Sequence, residues 1–172
     1  LSYSKREMAR DNVDLMKALG FEQFSILAHD RGARVAHRLA LDHPAAVQRM
    51  MLLDIAPTLA MYTQTNEAFA RAYWHWFFLI RPAPLPETLI EANPEGYLRS
   101  VMGSRSAGFK PFTDEAFSEY RRCLQQPGSA RGICEDYRAS AGIDLEHDRA
   151  DIAAHHHLGL PLRVLWGAEG TV

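Results

Sequence analysis

FSILAHDRG, residues 24–32, joins a short apolar run to a polar turn. The run at residues 24–27 carries aromatic and β-branched side chains, which favour a β-strand. Beyond the turn, small and apolar residues recur at helical spacing until Pro44, where a helix is expected to stop. The stretch therefore predicts a strand, a sharp turn and a helix in succession.

Three further segments extend this pattern. Residues 5–19 predict a helix that ends before Gly20, a residue that suits a left-handed helix end. Residues 50–53 (MMLL) and residues 162–166 (LRVLW) are apolar runs of strand length. The near-continuous hydrophobicity of residues 50–53 is typical of a strand covered on both faces in a parallel sheet. The sequence therefore predicts an α/β fold built on a βαβ unit.

The intervening chain has a different character. Helical patterns such as residues 67–79 and 115–124 alternate with breaks that contain Pro or Gly, and no clear strand is visible. We predict a core at residues 1–56, a helical cap at residues 57–160 and a return to the core at residues 161–172. A sheet of three strands leaves its edges bare, so we expect the sequence to be a fragment of a larger domain.

Composition narrows the class of partner. The chain has 172 residues, a net charge of −2 and 47% hydrophobic residues, which excludes a basic nucleic-acid-binding or membrane-surface protein. Its most apolar stretch, residues 72–80, is shorter than the roughly 18 residues that span a bilayer. Two cysteines, Cys123 and Cys134, predict reduced, unreactive thiols in a cytoplasmic protein. A small molecule is the expected partner.

Asp30 lies at the turn between the first strand and its helix. α/β-hydrolases mount their nucleophile at such a turn, and small residues two positions before and after it, here Ala28 and Gly32, allow the backbone to bend tightly. The alternative is that Asp30 caps the helix N-terminus, a common role for Asp. The local pattern favours the two roles about equally.

Arg31 and Arg34 follow within the first turn of the helix, where positive charge opposes the helix dipole. A bound carboxylate would explain them, because guanidinium groups match carboxylates in bidentate geometry. The alternative is pairing with an acidic side chain such as Asp30 or Asp42, which is the commoner fate of an arginine.

Several segments together resemble a known family. The sequence resembles the haloacetate (fluoroacetate) dehalogenases of the α/β-hydrolase superfamily over residues 24–172, in segments that occur in the same order. They are HDRG at 29–32 with Arg34, HRLALDHP at 37–44, LDIAPT at 53–58, ARAYWHW at 70–76 and DYRA at 136–139. Related haloalkane dehalogenases and epoxide hydrolases usually have Trp after the nucleophile, so Arg31 favours the haloacid branch.

The resemblance implies a mechanism for the first site. Asp30 would attack the halogen-bearing carbon, displace halide and form an ester, while Arg31 and Arg34 would hold the substrate carboxylate. A carboxylate nucleophile suits this chemistry, because water can later cleave the ester.

The resemblance also implies a halide pocket formed by His75, Trp76 and Tyr137. Donors of this kind would replace the water around a leaving fluoride. Without the motif, Trp76 and Tyr137 would be interpreted as ordinary buried aromatic residues.

Asp54 would orient a general-base histidine. Many hydrolases of this superfamily place that acid after a later strand, but the corresponding position here is Gly170, with Glu169 as a weak substitute. In isolation, Asp54 is also a plausible turn residue. The resemblance implies that the histidine itself lies near the C-terminal end of such domains, beyond Val172. The run at residues 155–157 is interpreted as solvated, because no Cys or carboxylate spacing supports a metal site.

These inferences predict an enzyme that hydrolyses fluoro-, chloro- or bromoacetate to glycolate and halide through an aspartyl ester. No metal or organic cofactor is expected, and a homodimer is left open. The alternatives are an epoxide hydrolase, which would need two cap tyrosines, or a non-catalytic carboxylate-binding remnant.

Overall fold

The computed structural model describes residues 2–103 and 107–168. Helices and strands occupy most of these residues. In chain order they are α1 Lys5–Ala18, β1 Phe24–His29, α2 Asp30–Asp42, a 3₁₀ turn Pro44–Ala46, β2 Val47–Leu53, α3 Thr58–Thr63, α4 Glu67–Ala72, α5 Trp74–Phe78, α6 Leu85–Ala92, α7 Pro94–Met102, α8 Asp114–Leu124, α9 Ser129–Ser140, α10 Ile143–Ala153 and β3 Leu162–Leu165.

The boundaries of α1 follow from local chemistry. The Ser4 side chain accepts a hydrogen bond from the Glu7 backbone N–H at 3.2 Å, which caps the first turn. The helix ends at Ala18, and Gly20 has a φ of 88°. Glycine adopts this left-handed conformation without steric cost, so the predicted helix end is confirmed.

The three strands form one parallel sheet in the order β1-β2-β3. His29 at the end of β1 pairs in register with Leu53 of β2, and Leu53 pairs with Leu165 of β3. The strands therefore finish at one edge of the sheet, and the predicted βαβ unit is confirmed.

Apolar side chains of α1, α2 and the sheet form the core of the first compact unit. The buried members are Ala9, Val13, Ala33, Ala36, Leu39, Ala40, Val47, Met50, Leu52 and Ile55. Residues 50–53, expected to be covered on both faces, alternate between buried Met50 and Leu52 and half-buried Met51 and Leu53. Leu27 of β1 is 68% exposed and Val164 of β3 is 38% exposed.

The chain divides into two compact units, residues 2–65 with 139–168 and residues 66–138. Between β2 and β3 the described chain is helical, as the sequence predicts. The assignment of residues 57–160 as a cap domain stays a prediction.

The predicted helix at residues 67–79 is wrong as a single element. It divides into α4 and α5 at Tyr73, whose φ of −118° and ψ of 34° interrupt the helical backbone. Tyr73 stacks on Phe69 with ring centroids 4.9 Å apart, so aromatic packing accompanies the break.

None of the helices in the described ranges has the length and apolar character needed to cross a membrane.

Candidate active site

Asp30 occupies the junction between β1 and α2 in a backbone conformation that few residues adopt. Its φ is 50°, whereas the preceding His29 is extended. Asp30 is the first residue of α2, so the cap position falls on His29 and the alternative role of Asp30 as N-cap is wrong. The side chain is 69% exposed. The junction thus presents a carboxylate outward from a strained turn.

Gly32 does not show the steric requirement expected from the sequence. A Cβ atom at this position would meet no described heavy atom within 4 Å, and Gly32 is not among the glycines with positive φ. The sharp turn is made by Asp30 itself, and the described structure gives no packing reason for glycine two residues later.

Arg34 lies one helical turn after Asp30 and contacts it. Its Nη1 atom is 3.5 Å from Oδ1 of Asp30, and the Arg34 side chain is only 4% exposed. The structure thus shows the contact with Asp30 that was considered as an alternative, and a role of Arg34 in binding a substrate carboxylate stays a prediction. A buried cation at this distance attracts negative charge.

Arg31 takes a different partner. Its Nη2 donates a hydrogen bond to Oγ of Ser140 at 2.9 Å. Asp42, considered as a partner from the sequence, accepts hydrogen bonds from Arg6 at 2.8 Å and from Arg38 at 3.2 Å. Burial raises the pKa of the Asp42 carboxyl, but these two guanidinium groups outweigh burial and hold that pKa below its ordinary value.

Asp54 lies in the equivalent position at the end of β2. It follows Leu53, the register partner of His29, and its φ is 52°. Its backbone N–H donates to the carbonyl of Leu165 at 2.8 Å, which fixes the turn against β3. Asp30 and Asp54 therefore leave neighbouring strands at the same edge of the sheet.

The three side chains predicted to bind halide lie together in the second compact unit. His75 and Trp76 are buried on α5 and Tyr137 is buried on α9. The Tyr137 ring centroid is 6.0 Å from that of His75 and 5.8 Å from that of Trp76, both in edge-to-face geometry. The phenol ring of Tyr137 thus packs against both the imidazole of His75 and the indole of Trp76, and each of the three groups can donate a hydrogen bond.

Burial affects ionisable groups close to this aromatic group. Burial raises the pKa of Tyr97 well above its ordinary value, with the nearby Tyr137 adding to the effect. Burial, reinforced by the carboxylate of Glu87, raises the pKa of the Cys134 thiol to about 12. Cys134 is fully buried and Cys123 is exposed, and the low reactivity expected of both thiols stays a prediction. Both cysteines are free.

The run at residues 155–157 is exposed, as predicted, and Nδ1 of His156 contacts Asp151 at 3.1 Å. Glu169 and Gly170, the competing positions for the orienting acid, lie outside the described residues. Within the described ranges, no group of three His, Cys, Asp or Glu side chains could hold a metal ion.

Ser140 and Lys5 were not singled out from the sequence, although both lie beside Arg31. Ser140 accepts hydrogen bonds from Arg31 and from Nζ of Lys5, which are 109 and 135 residues away in the chain. Only the tertiary structure brings such distant residues together, so local patterns could not identify them.

Comparison with known proteins identifies the fold. The sequence profile described as "alpha/beta hydrolase fold" matches residues 2–106. The chain belongs to the alpha/beta hydrolase family. The parallel sheet flanked by helices and the Asp30 turn are consistent with an α/β hydrolase.

Individual α/β hydrolases resemble the chain closely. A fluoroacetate dehalogenase from a Burkholderia species is 42% identical over 99% of this chain and 56% of its own length. A soluble epoxide hydrolase from Corynebacterium sp. strain C12 is 30% identical over 97% of this chain and 58% of its own length. The chain thus spans a little over half of these relatives.

A crystal structure shows the same architecture. An α/β hydrolase from Nostoc sp. PCC 7120 superimposes with a TM-score of 0.92 at 56% identity, over 98% of this chain and 57% of that one.

Proposed function

We propose that the protein containing this chain hydrolyses haloacetates to glycolate and halide. The observation that carries the proposal is Asp30, an exposed carboxylate at a strained strand–helix turn with the buried Arg34 at 3.5 Å. Strained residues of this kind concentrate at functional sites. The 42% identity to a fluoroacetate dehalogenase supports the choice of substrate.

In the first step, a carboxylate oxygen of Asp30 attacks the halogen-bearing carbon. A carbon–oxygen bond forms as the carbon–halogen bond breaks, and the halide leaves with the bonding electron pair. Arg31 and Arg34 hold the substrate carboxylate, because a guanidinium group supplies two parallel donors to such an anion. The product of this step is an ester of glycolate on Asp30.

Departure of fluoride requires donors in place of water. His75, Trp76 and Tyr137 would supply an imidazole, an indole and a phenol hydrogen to the leaving halide. Their burial supports this role, since donors in a water-poor site interact more strongly with a developing negative charge.

In the second step, water attacks the carbonyl carbon of the Asp30 ester. A base removes the proton of the attacking water, the ester bond breaks, and glycolate leaves as the Asp30 carboxylate is restored. Asp54 would orient a general-base histidine, in line with its place beside Asp30 at the sheet edge. No histidine of residues 1–172 is assigned this role.

A single-turnover reaction in H₂¹⁸O tests the proposal. With the enzyme in excess over chloroacetate, the ester route transfers ¹⁸O to Asp30 and leaves ¹⁶O in the new hydroxyl of glycolate. Mass spectrometry of glycolate and of the peptide with Asp30 distinguishes this result from direct attack by water, which would label glycolate. An absence of halide release from all haloacetates would reject the proposal.

An epoxide hydrolase is the second candidate, because of the 30% identical Corynebacterium relative. It would form the same kind of ester on Asp30, so the substrate that is hydrolysed distinguishes the two functions. We expect halide release from chloroacetate and no measurable hydrolysis of styrene oxide by the same preparation. The cytoplasmic location and the homodimer stay predictions.

A further inference from the structure

Ser140, the last residue of α9, joins two cationic side chains. Its Oγ accepts hydrogen bonds from Nη2 of Arg31 at 2.9 Å and from Nζ of Lys5 at 3.0 Å. Ser140 is fully buried. A hydroxyl oxygen has two acceptor positions, so one serine can accept from both donors. The three residues belong to one compact unit.

Lys5 is held from its other side. It is 2% exposed, and its Nζ lies 3.6 Å from Oδ2 of Asp144, while its backbone N–H donates to Oδ1 of the same carboxylate at 2.9 Å. A buried ammonium group is stable only when it is paired and hydrogen-bonded. Asp144 and Ser140 meet that requirement, so the end of the Lys5 side chain has a fixed position.

This arrangement restricts Arg31. A long arginine side chain has many rotamers of similar energy, and ordering it opposes binding. A hydrogen bond from Nη2 to a hydroxyl that Lys5 holds in place selects one orientation of the guanidinium plane before a ligand arrives. Preorganised groups bind more tightly because the ligand does not have to order them.

The chemical nature of the group that accepts the hydrogen bond from Arg31 matters as much as its position. A hydroxyl accepts the hydrogen bond without adding negative charge beside Arg31. A carboxylate at position 140 would also hold the guanidinium group, but it would compete with an anionic substrate for the same charge. Serine is thus suited to orient this arginine while preserving its attraction for anions.

We propose that Ser140 is a positioning residue for Arg31. The Ser140 hydroxyl is in turn held in place by Lys5, which is paired with Asp144 in the protein interior. Its effect on catalysis rests on the proposed function, in which Arg31 binds the substrate carboxylate. Its effect on the orientation of Arg31 does not depend on that function.

The kinetic test compares a charged with a neutral substrate in the natural gene product that contains this chain. We expect Ser140→Ala to raise KM for chloroacetate about tenfold, with kcat changed less than about threefold. Turnover of neutral chloroacetamide should change less than about twofold, since it lacks the carboxylate that Arg31 recognises. A general disturbance of the fold would affect both substrates.

Two variants at position 140 separate orientation from charge. Ser140→Thr keeps the hydroxyl and should retain most of the affinity for chloroacetate. Ser140→Asp keeps an acceptor for Lys5 and Arg31 but adds negative charge, so it should raise KM for chloroacetate without loss of thermal stability. Ser129→Ala, which removes the other serine hydroxyl of α9, is the matched control and should leave KM unchanged.

A direct measurement keeps the two proposals distinguishable. Rotation of the Arg31 guanidinium group, followed by ¹⁵N NMR exchange, should be slow in the wild type and in Ser129→Ala, and faster in Ser140→Ala. Unchanged rotation in Ser140→Ala would overturn the positioning role. If the wild type releases no halide but rotation of the Arg31 guanidinium group is faster in Ser140→Ala, only the proposed function is rejected. Equal loss of activity on both substrates would reduce Ser140 to a structural role and overturn the proposal.

Discussion

Asp30 and Asp54 follow register-matched residues of neighbouring parallel strands, and both have a positive φ, 50° and 52°. Adjacent strands lie about 4.8 Å apart, so the sheet itself fixes the spacing from which these two carboxylates start. A non-glycine residue in this conformation costs roughly 1–2 kcal/mol. Positive φ alone is not diagnostic, because the exposed His155 shares it. The pairing of two such residues at one sheet edge is the informative feature.

Replacement of the proposed nucleophile should abolish turnover without unfolding the protein. Asp30→Asn keeps the size of the side chain and a residue type that tolerates positive φ, but it removes nucleophilicity. We expect halide release from chloroacetate to fall at least about 10³-fold, with the melting temperature nearly unchanged. Asp14→Asn on α1 is the control. Substantial halide release, after mass spectrometry has excluded hydrolysis of the new amide, would reject Asp30 as nucleophile.

Arg34→Lys keeps the positive charge but loses the planar guanidinium group with its parallel N–H donors. The Arg34 side chain is 4% exposed and reaches Asp30 through Nη1, so a compact ammonium cannot reproduce its geometry. We expect KM for chloroacetate to rise about tenfold or more in steady-state assays. Arg71→Lys, at an exposed pair with Glu67, should leave KM unaltered. Wild-type KM and kcat in Arg34→Lys would argue that Arg34 serves only its contact with Asp30.

Trp76→Phe tests the proposed halide pocket. The variant retains a ring in contact with Tyr137 but removes the indole N–H. Because fluoride depends on hydrogen-bond donors more than bromide does, kcat should fall about 100-fold for fluoroacetate and about tenfold or less for bromoacetate. Trp74→Phe, also on α5, is the matched control and should preserve the ratio of the two rates. Equal losses on both substrates would indicate a packing defect instead.

Glu87 links the acid stability of the second unit to Arg138. The hydrogen bond from Arg138 to this carboxylate, 2.6 Å long, holds the pKa of Glu87 below its ordinary value of 4.5, although burial acts in the opposite direction. The Glu87 side chain is 10% exposed. Because the pKa of Glu87 is lower in the folded than in the unfolded state, its ionised carboxylate stabilises the fold, fully so above pH 4.5. This contribution to stability disappears as the pH falls through the folded-state pKa.

Glu87→Gln should therefore lower the free energy of unfolding by about 1–3 kcal/mol at pH 7, with a smaller difference at pH 3. Urea unfolding at both pH values measures the effect. Glu67→Gln disrupts a pair whose side chains are both 78% exposed, and should change the free energy by less than about 0.5 kcal/mol. A difference for Glu87→Gln that does not shrink in acid would contradict the role of its charge.

The sequence predicts the fold well where the pattern is local. The strand at residues 24–27 and the helix after it are found in β1 and α2, because apolar periodicity reports directly on burial. The sequence pattern does not predict the helix break at Tyr73, because an apolar run such as residues 73–80 is compatible with a continuous helix. The exposure of Leu27 is not indicated by the sequence, because a hydrophobic strand does not itself reveal what covers it.

The candidate site was predictable only in part. A motif marks Asp30 and its two arginines, and the structure shows their contacts, but the roles of these residues stay proposals. His75, Trp76 and Tyr137 are brought together as the resemblance implies. Ser140 was not predicted, because its relation to Arg31 exists only after residues 109 positions apart have met.

That separation has a consequence for synthesis of the protein. A ribosome adds about 5–20 residues per second, so Arg31 emerges roughly 5–20 s before the serine that orients it. During this interval β1, α2 and β2 can already form a local βαβ unit, whereas the guanidinium group of Arg31 still lacks its hydrogen-bond acceptor Ser140. The nascent chain can thus form β1 and β2 before the residue that is proposed to orient Arg31 has been synthesised.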